Sequence, residues 1–222
     1  DAAFVDRSSQ WCALLVSGAS SANILDNVGT GVSEALASRS IGLAVGSIEG
    51  IEVQIRRQPI TADECFIISS ELSQRDDLLK WLQAQGAVVC SPEAVEVRRI
   101  EMGTPLYGND VSVDNLPQEI ARDAAAISFT KGCYLCQETV ARIDAMGRVN
   151  RILVGLKFSG ETVPPASTSL EIDGKSIARV TSACYSSWLN CAIALAFVRR
   201  GSDQPGTILP SDFGTAEVVA LP

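Results

Sequence analysis

After residue 150 the chain breaks into short apolar runs, 151–158, 170–180, 190–198 and 215–221, separated by Gly160, Pro164-Pro165, Asp173-Gly174 and the glycines at 201 and 206. Short strands at that spacing predict a small antiparallel barrel. Asp173-Gly174 suits a hairpin turn, whose central residues need positive φ. The first 150 residues have a different texture. Strand patterns at 11–18, 40–48, 51–58, 65–70 and 87–90 alternate with helical patterns at about 19–37, 72–85 and 92–102. In the helix at 72–85, Leu72, Leu79 and Leu82 share a face with Leu78 adjoining, charge lies opposite, and Gly86 ends it. The expected fold class is therefore α+β. A ferredoxin-like split β-α-β layer over residues 1–150 precedes a C-terminal antiparallel β-barrel over residues 151–222.

Composition removes several function classes. Of 222 residues 46% are hydrophobic, enough for a real core. Eighteen basic against 26 acidic residues give a charge of −8 and a pI near 4.6, which argues against direct nucleic-acid binding. A local basic site for a small anion stays compatible with that balance. No apolar run reaches membrane-spanning length, and residues 1–15 lack the pattern of a secretion signal, so a cytoplasmic protein is expected. There is no histidine, which excludes Ser-His-Asp and Cys-His nucleophile systems and histidine metal ligands. Proton transfer falls to Asp, Glu, Lys, Tyr, Cys, substrate or water. Seven cysteines, an odd number, fit a reducing compartment, with Cys12, Cys65, Cys90 and Cys191 read as buried free thiols. Trp11, Trp81 and Trp188 are read as core residues.

The segment 131–143, KGCYLCQETVARI, carries the chemistry. Lys131 stands close enough in sequence to favour a Cys133 thiolate, and Gly132 removes crowding. The run from Gln137 to Ile143 reads as a short helix, whose N-terminal field favours a thiolate ahead of it. Cys136 makes the spacing C-x-x-C, which admits a redox pair or, less suitably without histidine, half a metal site.

This segment closely resembles the K-G-C-Y-x-G-Q-E signature of the YgfZ-type folate-binding proteins, relatives of the glycine cleavage T-protein (aminomethyltransferase). RRIEMGTPLYGND at 98–110 resembles that superfamily's R-x-E-x-G-x-P-x-Y-G-x-D element, and RVTSACYSSWLNCAIALAFV at 179–198 its C-terminal pattern. One departure is Cys136, where the family has glycine. A small thiol is a mild replacement wherever φ is negative, so Cys136 is expected to be a structural substitution. In relatives the segment resembling WCALLVSGASSANIL follows a sizeable N-terminal portion. Only ten residues precede it here, so the resemblance implies either a fragment, which Asp1 in place of Met favours, or a family fold that has lost part of its first domain, with the N-terminal portion missing in both cases.

The resemblance implies tetrahydrofolate, or a one-carbon-substituted reduced folate, as cofactor. Glu101 matches the carboxylate that grips the pterin through two parallel hydrogen bonds, against the alternative of an ion-pair partner for Arg98. Tyr107 reads equally as a ring neighbour and as a structural residue, while Asp110 reads as a structural turn residue. Lys131 and Arg142 read equally as cations for the folate's glutamate tail and as surface ion-pair residues. Cys133 takes the family's thiol role as the catalytic candidate. Three functions stay open: support of iron–sulfur enzyme maturation or repair, with effects on tRNA modification; aminomethyl transfer to tetrahydrofolate; and a C-x-x-C redox module. Implied partners are the folate and iron–sulfur proteins, with a mitochondrial-matrix location if the source is eukaryotic.

Overall fold

The computed structural model describes residues 2–28, 36, 42–61, 64–147 and 149–222, apart from the side chains of Ala125 and Met146. The chain divides into two compact units, Asp1–Val95 and Glu96–Pro222. In the first unit, β1 (Trp11–Ser17), β2 (Leu43–Ile48), β3 (Ile51–Arg57) and β4 (Cys65–Glu71) form an antiparallel sheet in the order β1-β4-β3-β2. Alternation along each strand buries one face, while the other carries Glu52, Gln54 and Arg56 together with the exposed Leu43 and Val45. Val16, Ala44, Val53, Ile55, Phe66 and Ile68 pack against Ile24 and Leu25 of α1 (Ser21–Asp26) and against Leu78 and Leu82 of α2 (Arg75–Ala84). The parts of the expected helix at 29–35 and 37, and of the expected strand at 40–41, lie outside the described residues.

Several local expectations are corrected. Leu72 belongs to a 3-10 turn (Leu72–Gln74) that precedes α2, is half-exposed and does not share the Leu78–Leu82 stripe. The turn shifts the helical phase, so Leu78 is the buried residue where Leu79 was expected. Residues 87–90 form no strand; Val88 and Val89 are exposed, and Cys90 is an exposed thiol instead of a buried one. Trp188 lies exposed in the turn between two barrel strands, not in the core.

Helix α3 (Pro92–Glu101) leads into the second unit. There β5 (Arg151–Phe158), β6 (Ser169–Ile172), β7 (Lys175–Ser186), β8 (Cys191–Arg199), β9 (Ile208–Leu209) and β10 (Ala216–Val219) pair antiparallel in the order β6-β7-β8-β5-β10-β9. The end strands β6 and β9 approach each other, so the sheet curls into the nearly closed six-stranded barrel that the turn spacing predicts. The β6–β7 hairpin turns at Asp173 and Gly174, both at positive φ. Gly155 lets β10 close on β5, because a Cβ there would stand 2.6 Å from Val219 Cγ2.

Strand β8 is buried on both faces. Ala192, Ala194, Ala196 and Val198 point into the barrel, and Ile193, Leu195 and Phe197 point outward onto Ile100 and Ile120. The alternation is one of size, not of polarity. Small side chains fill the narrow interior and large ones fill the space under the outer layer. That layer holds α4 (Asp123–Ala126), the 3-10 turn Pro117–Ile120 and α5 (Gln137–Met146).

Candidate functional site

The segment 96–110 is fastened to the barrel by a polar cluster that begins with a bulge in β7. Pairing with β8 slips between Val180 and Ser182, leaving Thr181 as the extra residue. A bulge turns consecutive side chains toward one partner. Thr181 donates its hydroxyl to Asp110 Oδ1, and Ser182 Oγ accepts from Arg99 Nη2 at 2.8 Å. Arg99 Nη1 donates to Asp110 Oδ2 at 2.8 Å, and the same oxygen takes the Leu106 N–H at 2.9 Å. Arg99 also donates to both Glu96 oxygens and, at 3.0 Å, to the Thr104 carbonyl. Burial works against the guanidinium charge, but the carboxylates of Glu96 and Asp110 outweigh it and raise the Arg99 pKa. The Arg99 and Asp110 side chains are 4% and 0% exposed, so each charge depends on the other. Asp110 thus has the structural part.

Glu101 ends α3 one turn from that cluster. Its side chain is only 3% exposed, and both carboxylate oxygens are engaged: Oε1 accepts from Ser186 Oγ at 2.6 Å and Oε2 from Arg98 Nη1. Ser186 is itself fully buried and accepts the Leu189 N–H at 3.0 Å, which fixes its hydroxyl direction. The anion is therefore both charge-compensated and oriented. The Cys184 thiol, next but one before Ser186 in β7, is pushed up to about 11 by burial and by the negative charges of Glu101 and Glu96. Ser186 is not among the site residues that the sequence pointed to. Its signal was its place in the C-terminal pattern, 85 residues from Glu101.

Cys133 and Cys136 are exposed free thiols, and Lys131 and Arg142 are exposed as well. The Lys131 ammonium lies 4.4 Å from the centre of the Tyr134 ring, a cation–π contact. Cys136, not Cys133, is the residue that precedes α5. Its φ of +67° and ψ of 13°, with the Gln137 N–H on the Tyr134 carbonyl at 3.2 Å, give it the third position of a type II turn. This corrects the expectation of a thiol tolerated at negative φ. Tyr107 is 69% exposed. Among the described residues no hydrogen bond or ion pair joins Lys131, Cys133 or Arg142 to Glu101 or Tyr107. The structure thus shows an engaged carboxylate in a polar cluster and, separately in contact terms, an exposed thiol-bearing turn.

Residues 151–222 match the family model of the glycine cleavage T-protein C-terminal barrel domain. The chain is 29% identical over 188 residues to an aminomethyltransferase of Streptomyces avermitilis, covering 80% of this chain and 50% of that one. It is 26% identical over 226 residues to an aminomethyltransferase of Halothermothrix orenii, covering 98% and 62%. The crystal structure of the glycine cleavage system aminomethyltransferase T from Bartonella henselae superposes with a TM-score of 0.78 at 22% identity, over 95% of this chain and 58% of that one. These matches support the glycine cleavage T-protein-like superfamily. The fold is that of T-protein, barrel included, and the chain spans roughly half to three-fifths of the length of the T-protein-like relatives it matches. Among the described residues no helix is long and apolar enough to cross a membrane.

Proposed function

We propose that the protein binds tetrahydrofolate or a one-carbon-substituted reduced folate, and that it serves iron–sulfur enzymes in the manner of the YgfZ-type proteins. The observation that carries the folate reading is the Glu101 carboxylate, held in one orientation by Ser186 at the end of α3. An aminopyrimidinone edge offers two parallel N–H donors, which a fixed carboxylate accepts with little further loss of freedom. Arg98 is 45% exposed but Glu101 only 3%, so a ligand that takes Oε2 must itself satisfy the buried carboxylate. Lys131 and Arg142, both exposed, supply cations for an anionic tail. The K-G-C-Y run supports the YgfZ-type assignment over a T-protein, with Cys133 as the thiol beside the folate and residues 1–150 as the folate-binding region.

Tetrahydrofolate titrated by calorimetry against wild type and Glu101→Gln tests the reading. Losing one charge-assisted acceptor should cost about 2–3 kcal/mol, or about a hundredfold in affinity. Equal affinities would remove Glu101 from the site. The names of the matched relatives favour a second reading, aminomethyl transfer to tetrahydrofolate with release of ammonia. Ammonia release from an aminomethyl-dihydrolipoyl carrier separates the two: the first reading expects folate binding without turnover.

A further inference from the structure

The turn ahead of α5 holds a feature that the folate reading leaves unexplained. Cys136 stands there at φ +67°, where the resembled signature has glycine. A side chain at that φ strains the backbone, and a residue kept at a strained position calls for a compensating role. Packing does not supply one, because Cys136 is exposed. Capping does not either, because its side chain makes no cap hydrogen bond to α5. What the cysteine adds is a second thiol, three residues after the exposed thiol of Cys133.

The stretch between the two thiols can close. Their Cα atoms are three peptide units apart, hence within about 11 Å of each other, and a disulfide needs about 4.4–6.8 Å. The turn that joins the Gln137 N–H to the Tyr134 carbonyl at 3.2 Å already bends the chain between them. Leu135 is 93% exposed, and a Cβ at Gly132 would meet nothing within 4 Å. Drawing Cys133 toward Cys136 therefore disturbs little packing. Among the described residues neither thiol has a hydrogen bond, and no further cysteine or carboxylate joins the pair in a group that could hold a metal ion.

We propose that Cys133 and Cys136 form a reversible disulfide by exchange with a small-molecule disulfide. One thiolate attacks the small disulfide, forms a mixed disulfide and expels one thiolate of the reagent. The neighbouring thiolate then attacks the protein sulfur of that mixed disulfide and expels the second. The pair gives up two protons and two electrons, and the reagent leaves as two thiols. Closure occupies Cys133, the thiol that the folate reading places beside the ligand; only this consequence rests on that reading.

The test uses the 222-residue protein carrying Cys90→Ser, which removes the other exposed thiol. It is equilibrated with mixtures of reduced and oxidised glutathione, quenched with acid and weighed intact. The tryptic peptide 132–142, which holds both cysteines, is then mapped. The expected product has lost two hydrogen atoms within this peptide and regains them in dithiothreitol. Because closure is intramolecular, the linked form should exceed the glutathione adduct by at least about tenfold. Cys136→Gly in the same background should instead take one glutathione at Cys133. Adducts that persist in place of the link, a link to another cysteine or another molecule, or an unchanged mass would each overturn the proposal. So would a Cys136→Gly protein that takes up no glutathione at Cys133.

Discussion

At Cys136 a β-branchless but Cβ-bearing residue sits at φ +67°, where the resembled signature has glycine. Crowding of Cβ against the backbone in that region costs on the order of 1 kcal/mol. Cys136→Gly should therefore raise stability by up to about 1 kcal/mol, read as a higher urea midpoint at constant m-value. A lower midpoint would mean the thiol has native contacts that outweigh the strain. The other cysteines sort by burial. Iodoacetamide at neutral pH should label Cys90, Cys133 and Cys136, while buried Cys12, Cys65 and Cys191 stay protected. Cys184, pushed up to about 11, should label slowly despite partial exposure, and peptide mapping after a short pulse checks this order. The signature 131–143 was legible as a motif, but the sign of φ at Cys136 was not. It follows from the turn that Tyr134 and Gln137 close, and a cysteine carries no turn signal of its own.

The bulge in β7 and the α3 segment act as one device. Asp110→Asn removes the charge facing Arg99 while keeping shape, and should cost about 3–5 kcal/mol in urea unfolding. A loss below about 1 kcal/mol would show that Glu96 alone compensates Arg99. A smaller polar lock closes the turn after β8, where Asp203 accepts from the Gly201 N–H at 2.8 Å and pairs with Arg200. Burial raises the Asp203 carboxyl, but those hydrogen bonds and Arg200 together lower it below the ordinary value. A lowered folded-state pKa gives stability that is complete above the unfolded value near 3.9 and fades as pH falls through the folded one. Asp203→Asn should thus flatten the acid limb of the stability curve below about pH 4 and change its slope little near neutrality. Elements were readable where pattern and burial agreed. The strands 11–17, 51–57 and 151–158 and the Asp173-Gly174 hairpin stand where alternation or turn chemistry predicts them. Val88 and Val89 misled because apolar residues make a strand only when a neighbour offers pairing and cover. The two-residue β9 is too short to leave any periodic signal, and the Leu72 error came from a 3-10 turn that resets the helical phase.

At the scale of the molecule, the barrel family match begins at residue 151 but the compact unit begins at Glu96. The outer faces of Leu153, Ile193, Leu195 and Phe197 are covered by Ile100 and Ile120, and Ser182 and Thr181 take their partners from Arg99 and Asp110. A fragment 96–222 should unfold cooperatively with a near-native Tm. A fragment 151–222 should lose several degrees or fail to show a sharp transition, as differential scanning calorimetry would reveal. Equal transitions would make the outer layer dispensable. The double burial of β8 has one more consequence, in the time before the barrel closes. The run 191–198, CAIALAFV, has no charge, no proline and no polar face to turn toward water. Gatekeeper residues stand only at its end, in Arg199 and Arg200. Until 96–120 lies across one side and the remaining strands across the other, the nascent chain presents a two-sided adhesive strip to its neighbours. Yield on refolding should then be limited by chain concentration, and dilution or a holdase should recover more protein than any gain in native stability.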